Sequence, residues 1–354
     1  MAAKRRGGGE EGTVLVTGAT GFVGRALVQA LVAAGHRVRA TTRARRPGLD
    51  PSAEWVTADL RRAETLAPAL RGVRSAYFLV HGMSGAREDY AEEERLAAAV
   101  FAREAARAGV ERIVYLGGVA PRGPPSKHLA SRLAVGTILR GGRVPALELR
   151  ASMIVGAGSE SWRIVRDLAL RLPALVLPRW ARSRSRPVAL EDVVKGLVAA
   201  LHLPLEESEW FDLPGPEVLT VRQILERVAA LRGRRIPSVD FPLPAPRLSS
   251  LWLRLVSDAN FDVARELVQG LASDLLPRDD RYWSLTGHGP LLRFADAARR
   301  ALEAEAPSPG VRGLAMAIEE ALVARLSPQI AGDAGGRPDG RAPAVPARGR
   351  PSRG

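Results

Sequence analysis

The stretch from Val14 to Gly24 limits the possible folds of this chain more than any other part of the sequence. It is a short apolar run that leads into a turn with glycine at positions 18, 21 and 24, and a helical apolar pattern follows. This spacing permits a tight turn, a close approach of the backbone to a pyrophosphate, and close packing of the helix on its strand. The free N–H groups and the positive dipole end of the helix favour phosphate binding. The stretch therefore predicts a nucleotide-binding turn between a strand and a helix.

Strand and helix patterns then alternate through the first half of the chain. Five further strands are predicted at His36 to Thr42, Trp55 to Leu60, Ser75 to Val80, Val110 to Leu116 and Pro145 to Ala151. Such alternation favours a parallel sheet with helices on both faces. We therefore predict an α/β fold, a Rossmann-type doubly wound parallel sheet with a small C-terminal substrate lobe. Its ligands are expected beyond the carboxyl ends of the strands.

The predicted organisation has four parts. Residues 1–12 form a disordered leader, and residues 13–218 form the Rossmann domain, of which 161–185 contribute to the substrate lobe. Residues 219–328 form that lobe. Residues 329–354, which are rich in Gly, Pro, Arg and Ala, form a disordered basic tail.

Two local patterns in the second half predict secondary structure. Thr220 precedes a helical apolar pattern and is expected to be the N-cap of a helix. The segment from Arg186 to Ala189 is expected to be a strand that returns to the main sheet. A strongly apolar helix is predicted around Leu251 to Val256, as part of the core of the lobe.

Composition excludes several classes of site. The 354 residues contain no cysteine, so disulfides, zinc–thiolate sites and cysteine nucleophiles are excluded together. No spacing of His, Asp and Glu is typical of a metal site, and we predict none. There is no run of about 18 apolar residues and no signal-peptide pattern, so we predict a cytoplasmic protein without a membrane span.

The formal net charge of +14 raises the question of nucleic-acid binding. The excess is spread over the tails, residues 43–46 and 179–186, and many single arginines, without aromatic residues between them. Because this distribution is not typical of a nucleic-acid interface, we predict no specific nucleic-acid partner. Binding through the tail at residues 332–354 is the alternative, and it would depend steeply on salt.

The end of the second predicted strand indicates which dinucleotide is preferred. Folds that prefer NAD place an acidic residue there for the ribose hydroxyls. This chain has Arg43 instead, followed by Arg45 and Arg46, and guanidinium groups suit the 2′-phosphate of NADP. We predict that NADP(H) is preferred over NAD(H); a solvated basic loop is the alternative interpretation.

The spacing of Thr17 to Gly24 resembles the short-chain dehydrogenase/reductase superfamily, in its extended or atypical branches. Further motifs resemble the YbjT-like and NmrA-like NAD(P)H-binding proteins, which are allied to the nucleotide-binding accessory subunit of mitochondrial complex I. These motifs are Leu79 to Met83, Tyr115 to Pro121, His128 to Gly136, Leu149 to Gly156, Pro178 to Trp180 and Pro187 to Asp192. The resemblance covers Thr13 to Ala304. It implies a bound dinucleotide and leaves the reaction open.

The resemblance and the glycine-rich turn together predict the cofactor contacts. They are Gly18, Thr20, Gly21, Phe22, Val23, Gly24, Arg43, Asp59, Leu60, Val80, His81, Gly82, Gly117 and Met153. In the family the position of Asp59 lies near the adenine, although this residue also suits the N-cap of the next helix. His81 is expected beside the nicotinamide ribose, and a turn histidine at the sheet edge is the alternative.

Active members of the superfamily usually have Ser or Thr after the fifth strand and Tyr-x-x-x-Lys on the next helix. Here the strand ends in Gly117 and Gly118, and His128 and Arg132 fall at the tyrosine and lysine positions. His128 and Arg132 are therefore the candidate catalytic residues. Histidine is a potential general acid, whereas arginine stays protonated and holds anions. A structural role is the alternative for His128.

Two functions from different classes follow from these observations. The first is an NADP(H)-dependent oxidoreductase that acts on a small apolar carbonyl, quinone or isoprenoid-like substrate. This substrate is expected between the sheet edge and the segments Ser161 to Leu177 and Leu248 to Leu271. The second is a redox-sensing or assembly protein that holds the dinucleotide without chemistry, because all three usual catalytic residue types are missing. The sequence predicts no particular oligomeric state.

Overall fold

The computed structural model describes residues 12–44, 48–81, 90–241 and 273–305. The strands in these ranges are β1 Thr13–Val16, β2 Val38–Thr42, β3 Glu54–Thr57, β4 Val73–Phe78, β5 Arg112–Gly118, β6 Ala146–Ala151, β7 Ile154–Val155, β8 Leu175–Pro178, β9 Arg184–Ser185, β10 Val188–Ala189, β11 Glu209–Asp212, β12 Leu219–Thr220 and β13 Ser238–Phe241. The helices are α1 Phe22–Ala33, α2 Ala63–Leu70, α3 Tyr90–Arg107, α4 Lys127–Arg140, α5 Glu160–Arg171, α6 Leu190–Ala199, α7 Val221–Leu231, α8 Arg281–Thr286 and α9 Phe294–Ala304.

Seven parallel strands form the central sheet, in the order β11-β6-β5-β4-β1-β2-β3. The order of connection reverses at β1. Val16 of this strand lies opposite Ala40 of β2 on one side and opposite Tyr77 of β4 on the other. The predicted α/β fold with a doubly wound parallel sheet is therefore confirmed. Ligands of such sheets bind at the reversal point, here beyond the carboxyl ends of β1 and β4.

Apolar side chains from helices cover both faces of this sheet. On one face α1 and α6 contribute Leu27, Leu31 and Leu197, which are fully buried. On the other face α2 and α3 contribute Leu66 and Phe101, and α4 packs beside them. Because both faces are covered, the central strands are almost continuous apolar runs, which is why they were recognisable in the sequence.

The helices α5, α7 and α9 form a second core, in which Trp162 is fully buried. Thr220 caps α7 as predicted: its hydroxyl accepts from the Gln223 N–H at 3.1 Å, and the Gln223 side chain accepts from the Thr220 N–H at 2.9 Å. The expected return of residues 186–189 to the main sheet is wrong. This segment contains β10, which pairs with β7, because β11 occupies the sheet edge beside β6.

Several predictions concern residues outside the described ranges. These are Arg45, Arg46, Gly82, nearly all of the leader, the segments Leu251 to Val256 and Leu248 to Leu271, and the chain after residue 305. The domain boundary at residue 218 stays a prediction. Within the described ranges, no helix combines the length and the apolarity needed to cross a membrane.

Candidate functional site

A cavity of about 920 Å³ lies at the carboxyl ends of the central strands. Its wall contains every predicted cofactor contact that the structure describes: Gly18, Thr20, Gly21, Phe22, Val23, Gly24, Arg43, Asp59, Leu60, Val80, His81, Gly117 and Met153. The candidate catalytic residues His128 and Arg132 line the same cavity. The structure thus brings the predicted site together in one space, while the role of each residue stays a prediction.

The turn after β1 requires glycine at two positions. Gly18 has a φ of 68°, and a Cβ there would lie 2.6 Å from the carbonyl oxygen of Leu79. A Cβ on Gly24 would lie 2.2 Å from the carbonyl oxygen of Gly18. The Thr17 hydroxyl holds the turn on β4, because it donates to the Tyr77 carbonyl oxygen at 2.9 Å and accepts from the Leu79 N–H at 3.3 Å.

Helix α1 begins at this turn without a side-chain cap. Gly21 is the N-cap residue, so no side chain accepts a hydrogen bond from the first N–H groups of the helix. Unpaired N–H groups at the positive end of a helix dipole form a binding site for phosphate. The predicted dinucleotide fits here, because the glycines allow the tight turn that brings the start of α1 to the cavity, and α1 has no side-chain cap on its first N–H groups.

Arg43 lies at the end of β2, where its exposed side chain borders the cavity. No carboxylate in the described part of the chain forms an ion pair with it. An exposed guanidinium without a partner is available to a phosphate dianion. The position is therefore compatible with the predicted contact to a 2′-phosphate.

Asp59 lies at the same end of the cavity, and both of its carboxylate oxygens are paired with Arg61. Arg61 Nε donates to Oδ1 at 3.1 Å, and Nη2 donates to Oδ2 at 2.9 Å. These hydrogen bonds are the main cause of a lowered pKa at Asp59. The alternative N-cap role is wrong, since α2 follows Arg62 and has no side-chain cap. Sequence reasoning missed Arg61, which also lines the cavity and lies 3.4 Å from Glu93 of α3.

At the other end of the cavity, Arg132 of α4 links the ends of β4 and β5. Its Nη2 donates to His81 Nε2 and to the Leu116 carbonyl oxygen, each at 3.1 Å. Because a guanidinium only donates, His81 is a neutral imidazole that accepts at Nε2. Burial, and then the positive charge of Arg132, lower the pKa of His81 well below its usual value. The Arg132 Nε is buried and has no hydrogen-bond partner in the described ranges.

His128 lies one turn before Arg132, and only 6% of its surface is exposed. Burial, and then the positive charge of Arg132, lower the pKa of His128 to about 3. The Nδ1 atom of His128 has no hydrogen-bond partner among the described residues. Since its imidazole is neutral at pH 7, His128 does not match the general acid that its position in the sequence suggested.

Gly117 stands where active members of the superfamily have a hydroxyl, and it packs against the buried carboxylate of Glu148. A Cβ at position 117 would lie 2.8 Å from Glu148 Oε1, and one at Gly136 of α4 would lie 2.5 Å from the same carboxylate. Glu148 accepts from Arg150 Nε at 2.9 Å and from Arg140 Nε at 2.8 Å. The glycines thus allow β5 and α4 to close around an ion-pair network that sequence reasoning missed.

The second lobe contributes an apolar stretch to the wall of the cavity. It consists of Ile164 and Val165 on α5, Val221 and Ile224 on α7, and Leu275. The α5 part of this wall was expected from the sequence, whereas the α7 part and Leu275 were not. In the described ranges, no group of three or more histidine or carboxylate side chains is arranged to hold a metal ion.

A doubly wound parallel sheet, a glycine-rich turn at its reversal point and a lobe across the cavity define an extended short-chain dehydrogenase/reductase fold. Solved structures share this fold. The triphenylmethane reductase of Citrobacter sp., solved in complex with NADP(H), matches with a TM-score of 0.66 at 18% sequence identity, over 82% of this chain and 99% of that one.

Sequence comparisons identify the family. The model of the NmrA-like family matches residues 10–125. The chain is 35% identical to a ceramide reductase of Caulobacter vibrioides over 272 residues, which are 73% of this chain and 84% of that protein. It is 28% identical to a (4-alkanoyl-5-oxo-2,5-dihydrofuran-3-yl)methyl phosphate reductase of Streptomyces griseus, over 83% of this chain and 99% of that protein. The chain belongs to the NmrA-like family of NAD(P)-binding oxidoreductases, so the predicted resemblance is confirmed.

Proposed function

We propose that this protein is an NADP(H)-dependent reductase of an apolar carbonyl, quinone or isoprenoid-like compound. One observation carries the proposal: a single cavity joins the glycine-rich turn and Arg43 to the apolar wall on α5 and α7. A dinucleotide and an apolar second ligand would therefore meet in one space. The ceramide reductase and the furanyl-methyl phosphate reductase among the relatives support a reductase, and the first of them acts on a lipid.

The residues present fit the cofactor along the length of the cavity. Gly18, Gly24 and the start of α1 would hold the pyrophosphate, and Arg43 would hold the 2′-phosphate. Gly117 and its neighbours at the ends of β4 and β6 would surround the nicotinamide. When bound, the nicotinamide supplies the hydride.

Arg132 is the residue we assign to the substrate oxygen. It is permanently protonated, it is fixed by His81 and Leu116, and its Nε has no partner in the described ranges. A fixed cation of this kind stabilises negative charge that develops on a substrate oxygen. His81 and His128 are neutral at pH 7, so the proton that completes the reduction would come from solvent.

The experiment measures NADPH oxidation by the full chain with a panel of quinones, enones and long-chain ketones, with product identification. Arg132→Ala is expected to lower kcat/KM by about 10²- to 10³-fold. His128→Gln is expected to change kcat little. Arg74→Ala, which removes an exposed arginine paired with Glu111, is the matched control. Unchanged turnover in Arg132→Ala would contradict the assignment.

A second function is favoured by the packing at Gly117. Because a Cβ there would meet Glu148 at 2.8 Å, this site excludes the hydroxyl that the superfamily usually uses. The alternative is a dinucleotide-binding sensor or assembly protein without turnover. It predicts that NADPH binds and stays unoxidised with every member of the panel. Mass spectrometry of ligand released from protein purified from its native host distinguishes a bound dinucleotide from a bound product.

A further inference from the structure

The second-lobe wall of the cavity changes character along one face of α5. Glu160 and Ile164 are four residues apart, as are Ser161 and Val165, so each pair shares a side of the helix. All four residues line the cavity. The face is polar in the first turn and apolar in the second, over a distance of about 6 Å along the helix axis.

Other elements complete the apolar part of this wall. Val221 and Ile224 come from α7, and Leu275 comes from a segment that bridges to Ser185 of β9. These three wall residues are 5%, 2% and 8% exposed. A ligand in this part of the cavity therefore meets hydrocarbon from α5, α7 and the Leu275 segment. Such a surface favours an alkyl or polyprenyl chain and offers no partner to a polar group.

Glu160 determines the character of the polar part. The Glu160 side chain is 37% exposed, and its Oε1 accepts from Arg163 at 3.1 Å. Its Oε2, by contrast, is occluded and has no hydrogen-bond partner in the described ranges. Ser159 and Ser161 line the cavity on either side of it. An acid in the first turn, paired with an arginine three residues on, stabilises many helices. That role does not explain a buried carboxylate oxygen without a donor inside a cavity, which is normally satisfied by a ligand or by water.

We propose that the second ligand of this cavity is an amphiphile. Its apolar chain lies in the cavity against the apolar residues of α5 and α7, and its head group donates hydrogen bonds to Glu160, as a hydroxyl, amide or ammonium does. A carboxylate or phosphate head is expected to bind more weakly, because it would place a second anion against Oε2. Ile224 and Val221 limit the length of the apolar chain that the cavity accepts. This inference rests on the proposed function, since it names the substrate class of the same site.

Binding, rather than turnover, tests the inference. The NADPH-saturated full chain is titrated calorimetrically with a primary alcohol, its methyl ether and the carboxylate of the same chain length. If NADPH does not bind, the protein is titrated with the same ligands in its absence. The alcohol is expected to bind about tenfold more tightly than the ether, and the carboxylate least tightly. Within an alcohol series, each added methylene is expected to strengthen binding about fourfold until the apolar part of the cavity is filled.

Two variants test the head-group contact and the apolar-chain contact separately. Glu160→Gln is expected to strengthen carboxylate binding about tenfold relative to alcohol binding. Ile224→Trp is expected to remove the dependence on chain length. Glu226→Gln, which alters an acid of α7 paired with Arg222 outside the cavity, is the control and leaves the series unchanged.

Two results would overturn the inference: equal affinities for the three head groups, or a Glu160→Gln variant that shifts all three alike. The second result would mean that Glu160 only stabilises the start of α5. A protein that binds the series in the expected order but reduces no carbonyl would refute the proposed reductase and leave the amphiphile site intact. A protein that reduces short ketones without discriminating between head groups would support the proposed reductase and refute the amphiphile site.

Discussion

The two ends of the cavity achieve their shapes by different means. At the glycine-rich turn the backbone forms the site: α1 offers uncapped N–H groups, and the glycines allow the turn to pack closely on its own backbone and on Leu79. At the nicotinamide end a side chain makes the connection, since Arg132 of α4 joins the His81 side chain after β4 to the backbone carbonyl of Leu116 on β5. A backbone site depends on local spacing, whereas a side-chain site depends on which elements meet.

The glycines at the two ends illustrate this difference. A Cβ on Gly24 would meet the backbone oxygen of Gly18 at 2.2 Å, and neither group can move without opening the turn. A Cβ on Gly117 would meet the Glu148 side chain at 2.8 Å. That side chain is itself held by Arg140 and Arg150, so a small residue is required only because of a distant ion-pair network.

The largest effect is expected at the backbone site. Gly24→Ala should lower the free energy of unfolding by about 3 kcal/mol or more, because the added methyl overlaps a carbonyl oxygen that cannot relax. Gly21→Ala is the matched variant: its Cβ would meet the Gly18 oxygen at 3.1 Å and its φ is −77°. It should cost less than about 1 kcal/mol of stability while it weakens NADPH binding. Urea unfolding and NADPH titration measure the two quantities; a Gly24→Ala variant of normal stability would contradict the steric account.

The next effect concerns cofactor choice. Arg43→Ala should weaken NADPH binding by about 1.5–3 kcal/mol, or roughly 10- to 150-fold, and leave NADH binding nearly unchanged. Arg43→Asp should reverse the preference, because the new carboxylate repels a 2′-phosphate and accepts from ribose hydroxyls. Calorimetric titration of each protein with both cofactors measures this. A loss shared equally by NADPH and NADH would show that Arg43 belongs to a solvated loop.

The parts of the fold that follow from local patterns were predictable. The glycine spacing and the apolar runs of β1 to β6 identified the sheet, and Thr220 was recognisable as the N-cap of α7. The strand β11 was missed. It has four residues with charged ends, Glu209 and Asp212, and only its pairing with β6 makes it a strand.

The candidate site was predictable to the same extent. The residues whose backbone lines the cavity were predicted from the spacing of the motifs. The charge states of the titratable side chains in the cavity were not. Two signals were present and unused: Glu148 and Arg150 alternate on an otherwise apolar strand, and Arg61 follows Asp59 by two residues in a turn. The contribution of α7 had no such signal, because the face that a helix turns to a cavity depends on how the lobe packs.

Protonation provides a third test, because His81 and His128, whose pKa values burial lowers, both lie beside Arg132 in the cavity. The pKa of His128 is about 3 in the folded protein, against an ordinary value of 6.5 in the unfolded chain. The unfolded state therefore binds more protons between these values, so stability falls as pH drops below about 6.5, by about 1.4 kcal/mol per pH unit for each such histidine. His81, whose pKa is also lowered, acts in the same direction.

Urea unfolding between about pH 7 and pH 5 tests the histidines, because the carboxylates with lowered pKa contribute only near and below their ordinary values. Those carboxylates, with ordinary values of 3.8 and 4.5, include Asp59 and Glu217. Burial raises the pKa of Asp212, which acts in the opposite direction, and the His128→Gln variant separates the two because it retains Asp212. The His128→Gln variant should lose less stability per pH unit than the native chain. An unchanged slope would mean that His128 takes up its proton without leaving its buried position.

The smallest effect is expected at Arg61, which lines the same end of the cavity as Arg43 and carries the same charge. The two arginines differ in their partners: Arg61 is paired with both oxygens of Asp59 and lies near Glu93, whereas Arg43 has no carboxylate partner in the described ranges. A cation that is already neutralised and partly exposed contributes little, about 0.2–1 kcal/mol. Arg61→Ala should therefore change NADPH and NADH binding alike, by less than about fivefold.

The ratio of the two affinities, measured by titration with both cofactors, distinguishes the arginines more sharply than either affinity alone. Arg43→Ala should reduce the NADPH preference, Arg61→Ala should leave it, and the double variant should resemble Arg43→Ala because the two sites share no partner. A selective loss of NADPH binding above about tenfold in Arg61→Ala would instead show that the Asp59–Arg61 pair breaks when the cofactor binds. Arg61 would then serve the 2′-phosphate beside Arg43, and Asp59 would be released to accept from the adenine.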